Sequence, residues 1–149
     1  MKNTLLLTKI FTFETAHALW GYTGKCKNIH GHSYKLFVTI EGEPIAQENH
    51  PQNGMVMDFG DLKKIVQKCI LDPFDHALVL NKNTPHKELG KALIKQENQK
   101  VLLVDYQPTC EGMILDFARV LQENLPQNVK LAYLKLHETE NSYVEWQNK

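Results

Sequence analysis

Between residues 32 and 42, Tyr34, Leu36, Val38 and Ile40 alternate with Ser33, Lys35 and Thr39, the period-two pattern of a strand with one buried face. His30-Gly31-His32 runs into this stretch, so extended structure beginning there projects two imidazoles from the same face. With His17 upstream as a third nitrogen donor, the set matches a three-histidine catalytic zinc site, in which a fourth position stays open for water or substrate. Cys26, four residues before His30, fits two roles. It is a fourth ligand closing a structural site, or a thiol held beside the cation and activated by it.

The remaining elements follow from the same periodicities. Residues 4–14 read as a strand, with Leu5, Leu7, Phe11 and Phe13 on one face and Lys9 interrupting it. Residues 129–139 and Ser142 to Trp146 read as two more strands, joined at Glu140-Asn141 by a tight turn. Asp58 is placed to cap a helix, with Asp61 as partial capping-box partner and Leu62, Ile65, Val66, Cys69 and Ile70 on its inner face. Pro73 is expected to end it, because the residue before a proline avoids helical geometry. Thr109 caps a second helix through Asn124, with Met113, Phe117, Val120 and Leu121 inward. Residues 85–97 have weaker helical character, and Val101 to Val104 suits a short extended segment. The expected order is ββααββ, an α+β fold with a four-stranded antiparallel sheet and both helices on one face.

At 149 residues the chain fits one domain, 1–149. Seventeen basic and seventeen acidic side chains cancel, against general attraction to nucleic acid or an anionic membrane. No apolar run approaches the ~18 residues of a membrane span. Met1-Lys2-Asn3-Thr4 leads straight into a strand pattern without a signal-peptide core, so a cytoplasmic location is expected. Cys26, Cys69 and Cys110 are too few and too scattered for a disulfide framework. Cys69 and Cys110 read as ordinary buried thiols.

Five blocks in order carry a resemblance: Phe13-Glu14-Thr15-Ala16-His17, Cys26-x3-His30-Gly31-His32, Asp75-His76-x3-Leu80-Asn81, Pro108-Thr109-x-Glu111 and His137-Glu138-Thr139. Together they resemble the 6-pyruvoyl-tetrahydropterin synthase family over nearly the whole chain. The three-residue gap between Cys26 and His30 is similar to that of the bacterial 6-carboxy-tetrahydropterin synthases of the queuosine pathway. The resemblance implies the tunnelling fold, or T-fold, whose trimers close their sheets into a barrel and stack in pairs as a hexamer. It implies Zn2+ on His17, His30 and His32, Cys26 as base, and Asp75 and His76 completing the catalytic set, commonly across a subunit boundary. Glu138 would anchor a pterin, with Thr109 and Glu111 lining the same pocket. Thr15 and the Cys110-Glu111-Gly112 stretch depart from the usual pattern without removing a ligand, base or anchor.

The implied activity is zinc-dependent conversion of 7,8-dihydroneopterin triphosphate to 6-carboxy-5,6,7,8-tetrahydropterin, releasing triphosphate and acetaldehyde. One rival is 6-pyruvoyl-tetrahydropterin synthase, which stops before side-chain cleavage. The other is a non-catalytic zinc- or pterin-binding module with Cys26 as the fourth ligand. His50, His86 and His137 are expected to be structural or surface residues.

Overall fold

The structure, a computed structural model, describes residues 2–149. Strands β1 (Leu5–His17) and β2 (His30–Gly42) form a long antiparallel pair in register from Leu5↔Gly42 to His17↔His30. Both strands run further towards the metal-ligand candidates than the apolar alternation alone suggested. β5 (Val129–Thr139) adds to β2, and β6 (Ser142–Gln147) adds to β5 through the expected turn.

The sheet has six strands, not four, in the order β4-β3-β1-β2-β5-β6. β3 (Ala77–Asn81) lies parallel to β1, and β4 (Val101–Val104) parallel to β3, so the sheet is mixed. Five residues following directly on a helix gave too short a pattern to be read as a strand. A parallel neighbour also needs a crossover, and this one is α3 (His86–Glu97).

Two helical segments pack on one sheet face as expected. α1 (Phe59–Val66) is capped by Asp58, whose side chain accepts from the amides of Gly60 and Asp61. The Asp61 carboxylate does not return to the cap; it accepts from Gln52 Nε2 at 3.0 Å. Pro73 does not end this helix. A π-helical turn (Gln67–Leu71) leads directly into α2 (Asp72–Phe74), with Asp72 itself in helical geometry at φ −57° and ψ −47°. The wider turn changes the hydrogen-bond ladder just ahead of a residue that has no N–H to give.

α4 (Cys110–Asn124) is capped by Thr109, whose hydroxyl accepts from Gly112 N at 3.0 Å. Its buried face, including Met113, Phe117 and Leu121, meets Phe13, Tyr34, Leu36, Ile70 and Leu134 in one hydrophobic core. α3 takes the opposite face. Val79 joins that core, whereas its neighbour Leu80 points the other way, with Leu103, towards Gly90 of α3. A Cβ built at Gly90 would lie 2.7 Å from Leu103 Cδ2, so glycine permits this close approach. No helix among the described residues is long and apolar enough to cross a membrane.

Candidate functional site

The last pair of the β1–β2 ladder brings His17 opposite His30, and His32 follows two residues along the same strand face. Ring centroids of the three imidazoles lie 4.6, 4.9 and 5.2 Å apart, and one ring nitrogen from each falls within 4.8 Å of the others. No fourth His, Cys, Asp or Glu side chain among the described residues completes the group at that radius.

The hydrogen bonds assign the lone pairs. His17 Nδ1 faces the Pro108 carbonyl at 2.6 Å and His30 Nδ1 faces the Asn28 carbonyl at 2.6 Å; a carbonyl only accepts, so both Nδ1 atoms carry the proton. The two Nε2 atoms, 3.1 Å apart, therefore present lone pairs to each other, an arrangement that calls for a cation between them. Tetrahedral zinc with Zn–N of ~2.05 Å sets its imidazole nitrogens ~3.3 Å apart. His32 Nε2 is buried without a hydrogen-bond partner, which a metal bond would repair. Backbone carbonyls orienting the far nitrogens are the usual support for metal-binding histidines. The donor set fits a divalent metal such as zinc.

Burial holds the pKa of His17 and of His32 below the usual 6.5, keeping both rings neutral and ligand-competent. The sign for pH follows. The unfolded chain takes up protons at these positions near 6.5 before the folded chain does, so the stability they contribute is full above 6.5 and lost as pH falls from there towards the lowered folded values. Protons also compete with metal for the same nitrogens. Metal affinity is expected to stay level from about pH 8 to 6.5 and then fall with a slope above one proton per metal, measured by competition titration. An affinity that stays flat throughout the acid range would exclude histidine ligation.

Other candidate residues are placed unevenly around this centre. Cys26 sits half-buried in a single 3-10 turn (Lys25–Lys27), its carbonyl accepting from Leu19 N at 3.0 Å. Glu138 Oε1 lies 3.5 Å from Nε2 of both His17 and His32. A register shift between His137 and Thr139 interrupts β5–β6 pairing at this point, which strand periodicity does not reveal. Glu138 and Glu111 line one cavity of about 120 Å³, together with Cys110, Ser142, Tyr143 and Val144. That volume is below the ~300 Å³ at which ordinary ligand pockets begin. The Cys110 thiol is buried, donates to Leu136 O at 3.4 Å and is pushed up to about 12, an inert thiol as expected.

Asp75 and His76 stand apart from the three histidines. Asp75 Oδ1 accepts from Glu14 N at 2.9 Å, a bond that holds its carboxyl below the usual range. His76, at φ 60°, has its Nδ1 3.1 Å from Asp75 Oδ1 and a side chain 77% exposed. It lines an open cavity of about 580 Å³ that His32 also borders. No hydrogen bond joins His76 to Cys26 or to the metal-ligand candidates among the described residues. His50 and His86 lie away from the centre; His137 packs at a tilt against Phe37 and Tyr143 on the opposite sheet face.

A profile of the 6-pyruvoyl tetrahydropterin synthase family matches residues 6–149. The 6-carboxy-5,6,7,8-tetrahydropterin synthase of Haemophilus influenzae is 37% identical over 143 residues, covering 95% of this chain and 97% of the relative. The enzyme of the same name from Rickettsia typhi is 34% identical, covering 93% and 96%. Among solved structures, an uncharacterised protein from Wolinella succinogenes superposes with TM-score 0.80 at 20% identity, covering 99% of both chains. The 6-pyruvoyl tetrahydropterin synthase of Caenorhabditis elegans superposes with TM-score 0.69 at 22% identity, covering 99% of this chain and 98% of its own. The structural likeness establishes a shared fold. With the profile running from residue 6 to the last residue and relatives above 30% identity over almost their whole length, the chain belongs to the 6-pyruvoyl tetrahydropterin synthase family.

Proposed function

We propose that the protein converts 7,8-dihydroneopterin triphosphate to 6-carboxy-5,6,7,8-tetrahydropterin, with loss of triphosphate and acetaldehyde, in the pathway to queuosine. The name shared by the Haemophilus influenzae and Rickettsia typhi relatives supports the product. The observation that carries the chemistry is the trio of imidazoles with two far nitrogens bound to carbonyls and one near nitrogen buried without a partner. His17, His30 and His32 would hold zinc, which when bound supplies Lewis-acid polarisation of the substrate's side-chain hydroxyls.

The chain's own groups do the rest. Cys26 removes a carbon-bound proton from the side chain. That role is supported by Cys26 standing outside the cluster of candidate donors, against the thiol as its fourth ligand. Asp75 orients His76, which carries the second proton transfer. Glu138 and Glu111 accept hydrogen bonds from the amino-pyrimidinone edge of the pterin. The Thr109 hydroxyl accepts from Gly112 N; its proton has only a long 3.4 Å contact to Gln107 O and is available to substrate.

We read the working form as a cytoplasmic homo-oligomer, a hexamer of two stacked trimers. The exposed His76 and the small cavity at Glu138 both support completion by a neighbour. If Cys26 and His76 of one site come from different chains, mixing inactive Cys26→Ala and His76→Ala proteins restores about a quarter of full activity on random reassembly. No recovery after verified subunit exchange would assign both residues to one chain. The function itself is tested by incubating the zinc-loaded protein with 7,8-dihydroneopterin triphosphate and identifying products. Acetaldehyde with 6-carboxytetrahydropterin is the expected result; the 6-pyruvoyl compound would shift the reading to the rival synthase, and no turnover would overturn it.

A further inference from the structure

Tyr34 has no part in the chemistry above, yet it sits beside two of the clustered histidines and level with Glu138. It pairs with Phe13 on β1, and its ring stacks on that phenyl at 5.3 Å and 8°. Along β2 it follows His32 on the same face, its ring edge-on to His32 at 5.7 Å and to His17 at 6.4 Å. On the other side, one step past the Lys35↔His137 pair, it comes level with Glu138 of β5. The residue is fully buried, and its hydroxyl is one of three buried side-chain polar atoms without a partner among the described residues. Another is His32 Nε2, whose need a metal meets.

Burying a hydroxyl unpaired is costly, and phenylalanine would fill the same space without that cost. The nearby carboxylate has the opposite difficulty. Glu138 Oε1 is 3.5 Å from two nitrogens that face the candidate metal position, so a cation held there would attract it as a fourth ligand and close the open site. A carboxylate spent on the metal cannot accept hydrogen bonds from a pterin.

We propose that the Tyr34 hydroxyl is the donor that holds Glu138 away from the metal in the loaded site, making Tyr34 the positioning residue that keeps this carboxylate available to substrate. The proposal rests on Glu138 being the pterin anchor. Phe13, stacked beneath the ring, and the packed core fix the phenol so that it does not itself follow the ligand.

The test is Tyr34→Phe, read three ways besides turnover. Metal-free Tyr34→Phe is expected to melt at the same or a higher temperature than the parent, since an unpaired buried hydroxyl is removed. The cobalt-loaded variant is expected to show a changed visible absorption band, as the carboxylate joins the metal. Binding of a non-reacting pterin, followed by its fluorescence, is expected to weaken roughly tenfold or more, the usual cost of losing a hydrogen bond to a charged group. In a Glu138→Gln background, Tyr34→Phe is expected to change pterin affinity no further, because the two act as one unit. Unchanged cobalt spectrum and pterin affinity in Tyr34→Phe would overturn the proposal, as would effects that multiply in the double variant. Failure of the parent protein to turn over dihydroneopterin triphosphate would instead strike the functional reading, leaving the cobalt comparison to judge Tyr34.

Discussion

His30→Ala is expected to purify with its fold intact, bind zinc more than roughly a hundredfold less tightly and show no turnover. Loss of a residue that merely supports a ligand already costs about 10- to 100-fold in metal affinity, and a direct ligand costs more. His30 is the cleanest of the three to replace. It lies at the loop end of β2, whereas His17 is 1% exposed and its removal would also strand the Pro108 carbonyl. Metal analysis by mass spectrometry, paired with a product assay, checks the outcome. A His30→Ala protein with full zinc content and parental activity would remove the three-histidine centre from the account.

Cys26→Ala is expected to keep zinc and pterin affinity while its single-turnover rate falls ~10²- to 10⁴-fold, the range for loss of a general acid or base. A structural ligand behaves differently, because its removal releases metal and loosens the fold around it. Zinc content, pterin binding and rate are to be measured on one preparation. Zinc lost in proportion to rate would restore the closed four-ligand site, with the thiol as its fourth member.

Much of the site was legible because its donors are close in sequence and their spacing has a direct geometric meaning. His30 and His32 share a face by strand alternation alone, and the observed face is the one that also carries Tyr34 and Leu36 into the core. Caps were equally readable: Asp58 and Thr109 both accept from amides in the first turn, as short polar side chains before an apolar stripe do. The sheet's extent was not. Ala77–Asn81 becomes a strand because β1 offers a free edge beside it, a tertiary circumstance invisible in five residues. The turn at Gln67–Leu71 hides in the same way, since a π-helical insertion alters the ladder without disturbing the apolar stripe that predicts the helix. The approach of Glu138 to the histidines depends on a local shift in register, and sequence spacing carries no record of it.

The pairing of His17 with His30 has a bearing on how the centre comes into being. These two are only 13 residues apart in sequence, and His32 lies just beyond, so all three imidazoles belong to a single hairpin. Closing so short a connection costs little chain entropy, and the contact order of the triad is low. The groups that refine it arrive from far away: Pro108, which orients His17, is 91 residues distant, and Glu138 is more remote still. The candidate metal cluster is therefore a local structure that precedes, in folding logic, the packing of α4 and β5 that brings Pro108 and Glu138 up to it.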